Sequence, residues 1–175
     1  MVATPLERRL YSVHEARRLA QRALPQAIFD FVDGGAEEER TLRRNEAAFG
    51  ELELLPRPLD GTRVRDQSVS LFGKRLALPV LVGPTGLSGL LWPDGELATA
   101  RAAARAGTVY CLSHGSTCTI EQLAADGAGL RWMQVFMYRD RELTRAFAER
   151  AGQWQNDYMV DFKMAYSHYF AKKKA

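Results

Sequence analysis

Residues 79–136 read PVLVGPTGLSGLLWPDGELATARAAARAGTVYCLSHGSTCTIEQLAADGAGLRWMQVF, and their periodicity decides the fold. A short apolar run, a Gly- or Ser-containing loop and a helical stretch follow one another, and the unit then repeats. The first run is Val80 to Val82, with a loop from Gly83 to Trp92 and an Ala-rich helix from about Asp94 to Ala106, closed by Gly107. The second is Val109 to Leu112, with loop Ser113 to Cys118 and a short helix starting near Thr119 and ending near Asp126. The third is Trp132 to Phe136, then Met137 to Arg139, and a helix from about Asp140 to Ala151. Strands alternating with helices at roughly 25-residue intervals predict right-handed crossovers and a parallel sheet. An eight-unit barrel and an open doubly wound sheet both fit that pattern.

Upstream, the chain reads as a helical cap. Ser12-Val13-His14-Glu15 has the form of a capping box, and Val13, Ala16, Leu19, Ala20 and Ala23 recur at helical spacing. Pro25 ends that helix and opens a second, carrying Ile28, Phe31 and Val32, which Gly34-Gly35 breaks. A third helix is expected from about Ala36 to Phe49, with Glu37, Glu38 and Glu39 near its positive N-terminal end. A hairpin of Val69 to Phe72 and Arg75 to Leu78, turning at Gly73-Lys74, precedes the periodic region. The expected organisation is thus a cap and hairpin over residues 1–78, three β/α units over 79–152, and a tail over 153–175.

Charge and composition set the tail apart. The 175 residues carry 24 Lys+Arg and 21 Asp+Glu, with apolar residues at 46%. Only Lys74 of the five lysines precedes residue 153, whereas all nineteen arginines do. The last 23 residues hold six of the 17 aromatics. A basic, aromatic-bearing terminus can favour an anionic surface, but three lysines at one end are a weak electrostatic signal. The favoured reading is a foreign terminus, such as a frameshift would produce, with no nucleic-acid role. No run reaches the roughly 18 apolar residues of a membrane helix, and the N-terminus lacks a signal-peptide pattern. The expected compartment is the cytoplasm, including a peripheral position at the inner face of its membrane.

In either architecture, chemistry gathers at the C-terminal ends of the strands. Those ends hold Pro84, Thr85 and Gly86, then Ser113-His114-Gly115-Ser116, then Gln134 and Phe136. Small residues, backbone amides and neutral hydrogen-bonding side chains suit a flat heteroaromatic ring better than a free phosphate. No G-x-x-x-x-G-K-[ST] loop and no helix-opening G-x-G-x-x-G occurs. His114 has no paired Asp, Glu or Cys in sequence, which favours a loop hydrogen-bonding role over catalysis. Cys111, Cys118 and His114 lack zinc spacing, and the two thiols read as reduced packing residues. Arg17, Arg18, Arg22, Arg43 and Arg44 read as solvated helix faces.

At these residues the chain resembles the FMN-dependent 2-hydroxy-acid dehydrogenases and oxidases, the family of glycolate oxidase, mandelate dehydrogenase and the flavin-type lactate dehydrogenases. The resemblance is carried by Phe29 to Leu42 (FDFVDGGAEEERTL), by Pro79 to Ala106, by Leu112-Ser113, and by Ile120-Glu121 through Trp132-Met133-Gln134. The loop with Trp92-Pro93 looks most similar to the mandelate-dehydrogenase branch. It implies the N-terminal part of a (β/α)₈ barrel with FMN at the strands' C-terminal mouth. Pro84, Thr85 and Gly86 would then present backbone groups to the flavin ring, while Ser113 and Gln134 hydrogen-bond its polar edge. It also implies an oxidoreductase converting a small 2-hydroxy acid to a 2-oxo acid, in a homo-oligomeric parent. Phe31 and Phe136 occupy substrate-pocket positions where better-known members carry Tyr, so each lacks a hydroxyl.

The resemblance stops near residue 152. A barrel of this type usually needs about 250 residues. The family's His base, carboxylate-binding Arg, flavin-contacting Lys and phosphate site come from its second half, so no catalytic residue and no metal ligand is assigned here. The expectation is an enzyme by family that is truncated and inactive alone. The alternative is a non-catalytic or interaction-only partial barrel that binds no flavin.

Overall fold

The computed structural model describes residues 10–153, apart from 57, 59, 60, 62–64 and 128. The expected tail, from residue 154 onward, lies outside the described residues. The chain divides into two compact units on either side of residue 63.

In the first unit, helix α1 spans Val13–Ala23 and α2 spans Gln26–Asp33. Ser12 supplies its half of the expected capping box, accepting the Glu15 N–H at 3.1 Å, while the Glu15 carboxylate holds Arg18. Pro25 caps α2 and Gly34 closes it. Arg17 reaches across to Asp33 through Nε to Oδ1 and Nη2 to Oδ2, the latter at 2.7 Å, so it joins α1 to α2 and is not simply a solvated face. Helix α3 spans Arg40–Gly50, beginning four residues later than expected. Glu37 and Glu39 adopt positive φ values of 50° and 56°. That left-handed backbone cannot belong to a helix, so the acidic run precedes α3.

The second unit opens with strands β1 (Val69–Leu71) and β2 (Lys74–Leu76), paired antiparallel with Leu71 opposite Lys74. The turn is Phe72-Gly73, one residue earlier than expected. Both residues have positive φ, 48° and 74°, the twist that closes a two-residue hairpin. Phe72 packs on Trp132, their rings 5.6 Å apart, and Ala77 N–H donates to Gly107 O at 2.9 Å. The hairpin therefore lies in the same compact unit as the strand-helix repeats.

The periodic region keeps the expected order of elements, but its third strand, expected over Trp132 to Phe136, begins two residues earlier and ends three residues earlier. Helix α4 spans Gly95–Arg105, β3 Val109–Leu112, α5 Ile120–Ala125, β4 Leu130–Met133 and α6 Arg141–Gln153. Strands β3 and β4 run parallel, Val109 opposite Leu130. The first expected strand is reduced to one residue: Val82 bridges Tyr110 in parallel, donating to Val109 O and accepting from Cys111 N–H, each at 2.9 Å. Sequence neighbours are thus sheet neighbours, the order in which a barrel is laid down.

Between sheet and helices lies a core of Ala100 and Ala103 from α4, Tyr110 and Leu112 from β3, Ile120 and Leu123 from α5, Met133 from β4 and Ala151 from α6. The alanines let α4 approach the sheet closely, which is why the first helix of the periodic region is Ala-rich. Thr119 and Gln122 make a reciprocal capping box that starts α5. Arg150 binds Glu121 through two hydrogen bonds of 2.6 and 2.7 Å, tying α6 to α5.

Candidate functional site

Three residues from three successive strand ends converge. Ser113, just beyond β3, is buried, and its hydroxyl donates to Gln134 Oε1, just beyond β4, at 3.2 Å. The same oxygen accepts the His114 backbone N–H at 3.3 Å, and Gln134 N–H extends the ladder to Leu112 O at 2.8 Å. These bonds engage Gln134 through its carbonyl oxygen, which leaves its amide donors for a ligand. Gly86 completes the group: a Cβ there would stand 3.2 Å from Gly115 O and 3.5 Å from Ser113 Oγ. Leu87 follows in the left-handed region at φ 57°, and its N–H donates to Gly115 O at 2.9 Å. Strained backbone of this kind is held where a loop must present groups in a fixed direction.

The remaining predicted residues are placed less closely. Pro84 and Thr85 lie exposed on the first loop, where Thr85 O accepts the Ser88 hydroxyl at 3.3 Å. Phe136 is half-exposed beside His114, their rings 5.2 Å apart. Phe31 lies on α2 of the first unit with its ring largely exposed. A cavity of about 460 Å³ lies among Val82, Thr85, Trp92, Ala98, Ala102 and Tyr110. It flanks α4 and includes neither Ser113 nor Gln134, so it is a neighbour of the strand-end cluster and not the cluster itself.

His114 is a loop hydrogen-bonder, as its lack of a sequence partner predicts, but its partner was not foreseen. Nε2 meets the Tyr138 hydroxyl, and the ring packs against Phe136, Tyr138 and Phe147. Cys111 and Cys118 are free thiols, pushed up in pKa chiefly by burial, which suits packing and not reactivity. Among the described residues no cluster could hold a metal ion and no helix is long and apolar enough to cross a membrane.

A residue that sequence alone did not single out sits behind the cluster. Glu96, in the first turn of α4, is 1% exposed. Its Oε1 accepts the N–H groups of Ser88 at 3.1 Å and Thr117 at 2.8 Å, and its Oε2 accepts the Thr117 hydroxyl at 2.6 Å. An acidic residue near a helix N-terminus is common, so nothing in the pattern marked it.

A profile described as FMN-dependent dehydrogenase matches residues 20–160. The chain belongs to the FMN-dependent dehydrogenase family. The chain is 36% identical over 140 residues to glycolate oxidase 3 of Arabidopsis thaliana, covering 80% of this chain and 38% of that protein. It is 37% identical over 146 residues to (S)-mandelate dehydrogenase of Pseudomonas putida, covering 83% and 37% respectively. Its structure superposes on a soluble mutant of the membrane-associated (S)-mandelate dehydrogenase of Pseudomonas putida with a TM-score of 0.78 and 38% identity. That match covers 83% of this chain and 42% of the other. The chain thus spans about two-fifths of the length of these relatives. Its fold is the N-terminal part of a TIM barrel, which decides between the two architectures the periodicity allowed. FMN is the cofactor of the family.

Two carboxyls give the second unit a predictable response to acid. Glu121 is drawn down from an ordinary 4.5 to about 2, first by the Arg150 hydrogen bonds. Burial pushes the Glu96 carboxyl up, but the donors of Thr117 and Ser88 outweigh it and hold the group below its ordinary value. Both groups bind a proton less readily folded than unfolded. Their stabilisation is complete above the ordinary carboxylate range and is lost as pH falls through the folded values. The thermal midpoint should therefore be flat from neutral pH to about 5.5 and fall below about 4.5. Circular-dichroism melts across that range check this, and Glu121→Gln should make the acid limb shallower. A midpoint that rises on acidification would contradict it.

Proposed function

We propose that this chain carries the flavin-ring side of the site of an FMN-dependent 2-hydroxy-acid dehydrogenase or oxidase, and that it binds the ring without catalysing turnover alone. The observation that supports this best is the convergence of Gly86, Ser113 and Gln134 at adjoining parallel-strand ends. The donor set fits the group: neutral hydroxyl, amide and backbone donors match the carbonyl and N–H edge of an isoalloxazine. Gly86 lets its loop close onto Gly115 and Ser113, with Pro84 and Thr85 flanking it.

In a complete site FMN would supply the two-electron acceptor for oxidation of a 2-hydroxy acid to a 2-oxo acid, with the hydroxyl proton passing to a base and the C2 hydrogen leaving with or beside the electron pair. Ser113 orients the Gln134 amide, and the amide donors of Gln134 fix the polar edge of the ring. Phe136 would shape the substrate pocket without supplying a hydroxyl. The first two strand-end loops, 83–92 and 113–118, contain no Lys or Arg, so they provide no charged partner for a phosphate. A base and a carboxylate-binding Arg would be supplied by further sequence of the kind the longer relatives possess. The substrate class is a small 2-hydroxy acid; glycolate, lactate and mandelate are the test compounds. We place the chain in the cytoplasm or at the inner face of its membrane, in a homo-oligomeric parent.

Flavin titration tests this reading. The purified chain should quench the fluorescence of added FMN, and riboflavin, which lacks the phosphate, should bind within about twofold of FMN. Ser113→Ala and Gln134→Ala should each weaken binding about five- to tenfold, the worth of one hydrogen bond of about 1 kcal/mol. None of the three acids should bleach the bound flavin. Absence of binding would leave the interaction-only partial barrel, and bleaching would show that catalysis does not need further sequence.

A further inference from the structure

We propose that Glu96 is a positioning residue for the flavin: it fixes the spacing between the loop that carries Thr85-Gly86 and the loop that begins at Ser113, and so sets flavin affinity. This rests on the flavin reading above. The two loops follow different strands and are joined directly at few points. One is the Leu87 N–H to Gly115 O bond of 2.9 Å, and another is the Gly89 N–H to Thr117 Oγ1 bond of 3.1 Å. Glu96 stands behind both. One carboxylate oxygen receives a backbone N–H from each loop, Ser88 from the first and Thr117 from the second, while the other oxygen receives the Thr117 hydroxyl.

Three properties mark this as a spacer and not merely a satisfied core group. Its three hydrogen bonds to other residues all come from the two loops. Among the described residues no basic side chain forms an ion pair with Glu96, so the carboxylate is held by neutral donors alone, whose geometry is directional. The first loop is also pressed closely against both the second loop and the start of α4. A Cβ on Gly89 would stand 2.3 Å from Thr117 Oγ1, and one on Gly95 would stand 2.5 Å from Ser88 O. An amide at position 96 retains one acceptor oxygen and replaces the other with a donor facing the Thr117 hydroxyl. The link to the second loop is then weakened selectively while the side chain keeps its shape.

The test uses the full chain with FMN as the probe, read by fluorescence titration well below the melting temperature, together with amide exchange by NMR. Glu96→Gln should raise the FMN dissociation constant at least tenfold and speed exchange of the Ser88 and Thr117 amides at least tenfold, leaving Cys111 in β3 protected. Thr117→Val should cause a comparable loss, and combining it with Glu96→Gln should add little, because the two act through one contact. Leu123→Ala, a core variant in α5, provides the control: it should lower the melting temperature without altering FMN affinity. FMN binding by Glu96→Gln within twofold of wild type would overturn the positioning role alone. So would an equal loss of affinity in Leu123→Ala. No flavin binding by the wild-type chain would overturn the flavin reading, and the positioning role with it.

Discussion

Gly95→Ala should destabilise the second unit by about 3 kcal/mol, the opposite sign to helix propensity, which favours Ala over Gly by about 1 kcal/mol. Gly95 is the first residue of α4 and is buried. An added Cβ would stand 2.5 Å from Ser88 O and 2.6 Å from Ser88 C, both backbone atoms. Ser88 O already accepts the N–H groups of Leu91 and Trp92, at 3.0 and 3.1 Å, and Ser88 N–H donates to Glu96. The carbonyl cannot withdraw without loosening all three bonds. The expected result is a melting temperature about 10 °C lower, with a further loss of flavin binding as the first loop shifts. Calorimetry or a circular-dichroism melt measures it, and a variant as stable as wild type would show that Ser88 can move freely.

Leu112→Ala is expected to cost a similar amount, about 3 kcal/mol, by another route. Leu112 is 2% exposed and packs with Ala100, Ala103, Ile120, Leu123 and Met133. Its neighbours are held by two helices and a second strand, so the space left by three lost carbons cannot collapse fully. Denaturant unfolding should show the loss as a lower midpoint at constant slope. Leu54→Ala is the contrast, because Leu54 is 96% exposed and has no packing to lose; its midpoint should stay within about 0.5 kcal/mol of wild type. A small effect at Leu112 would mean that β3 is not the centre of the core. Leu112 also directs the backbone into Ser113, so the variant couples core packing to the candidate site.

What the sequence discloses differs from element to element for physical reasons. β3 falls where expected because Val109 to Leu112 is an apolar run bounded by Gly107 and Ser113, and burial on both faces leaves such a run no alternative. The start of α5 is legible because Thr119 and Gln122 are a local cap, complete within four residues. The start of α3 is not, since three consecutive glutamates suit a first helical turn and nothing local reveals that two of them turn left-handed. The hairpin turn slips by one residue because Phe72 takes a conformation usually left to Gly or Asn. In the site, Ser113, Gln134 and Gly86 are visible as small or polar residues at strand ends. Tyr138 and Thr117 are not, because their partners His114 and Glu96 lie 24 and 21 residues away and meet them only after the strands align.

The tight contact between Gly89 and Thr117 has a consequence for inheritance and for engineering. Two loops that each appear free to vary in a (β/α)₈ scaffold, where loops are commonly exchanged one at a time, here form a single cassette. Any residue larger than Gly at 89 demands a smaller one at 117, and either change alters what Glu96 holds. A graft of the first loop into another barrel would have to bring the second loop and the opening turn of α4 with it.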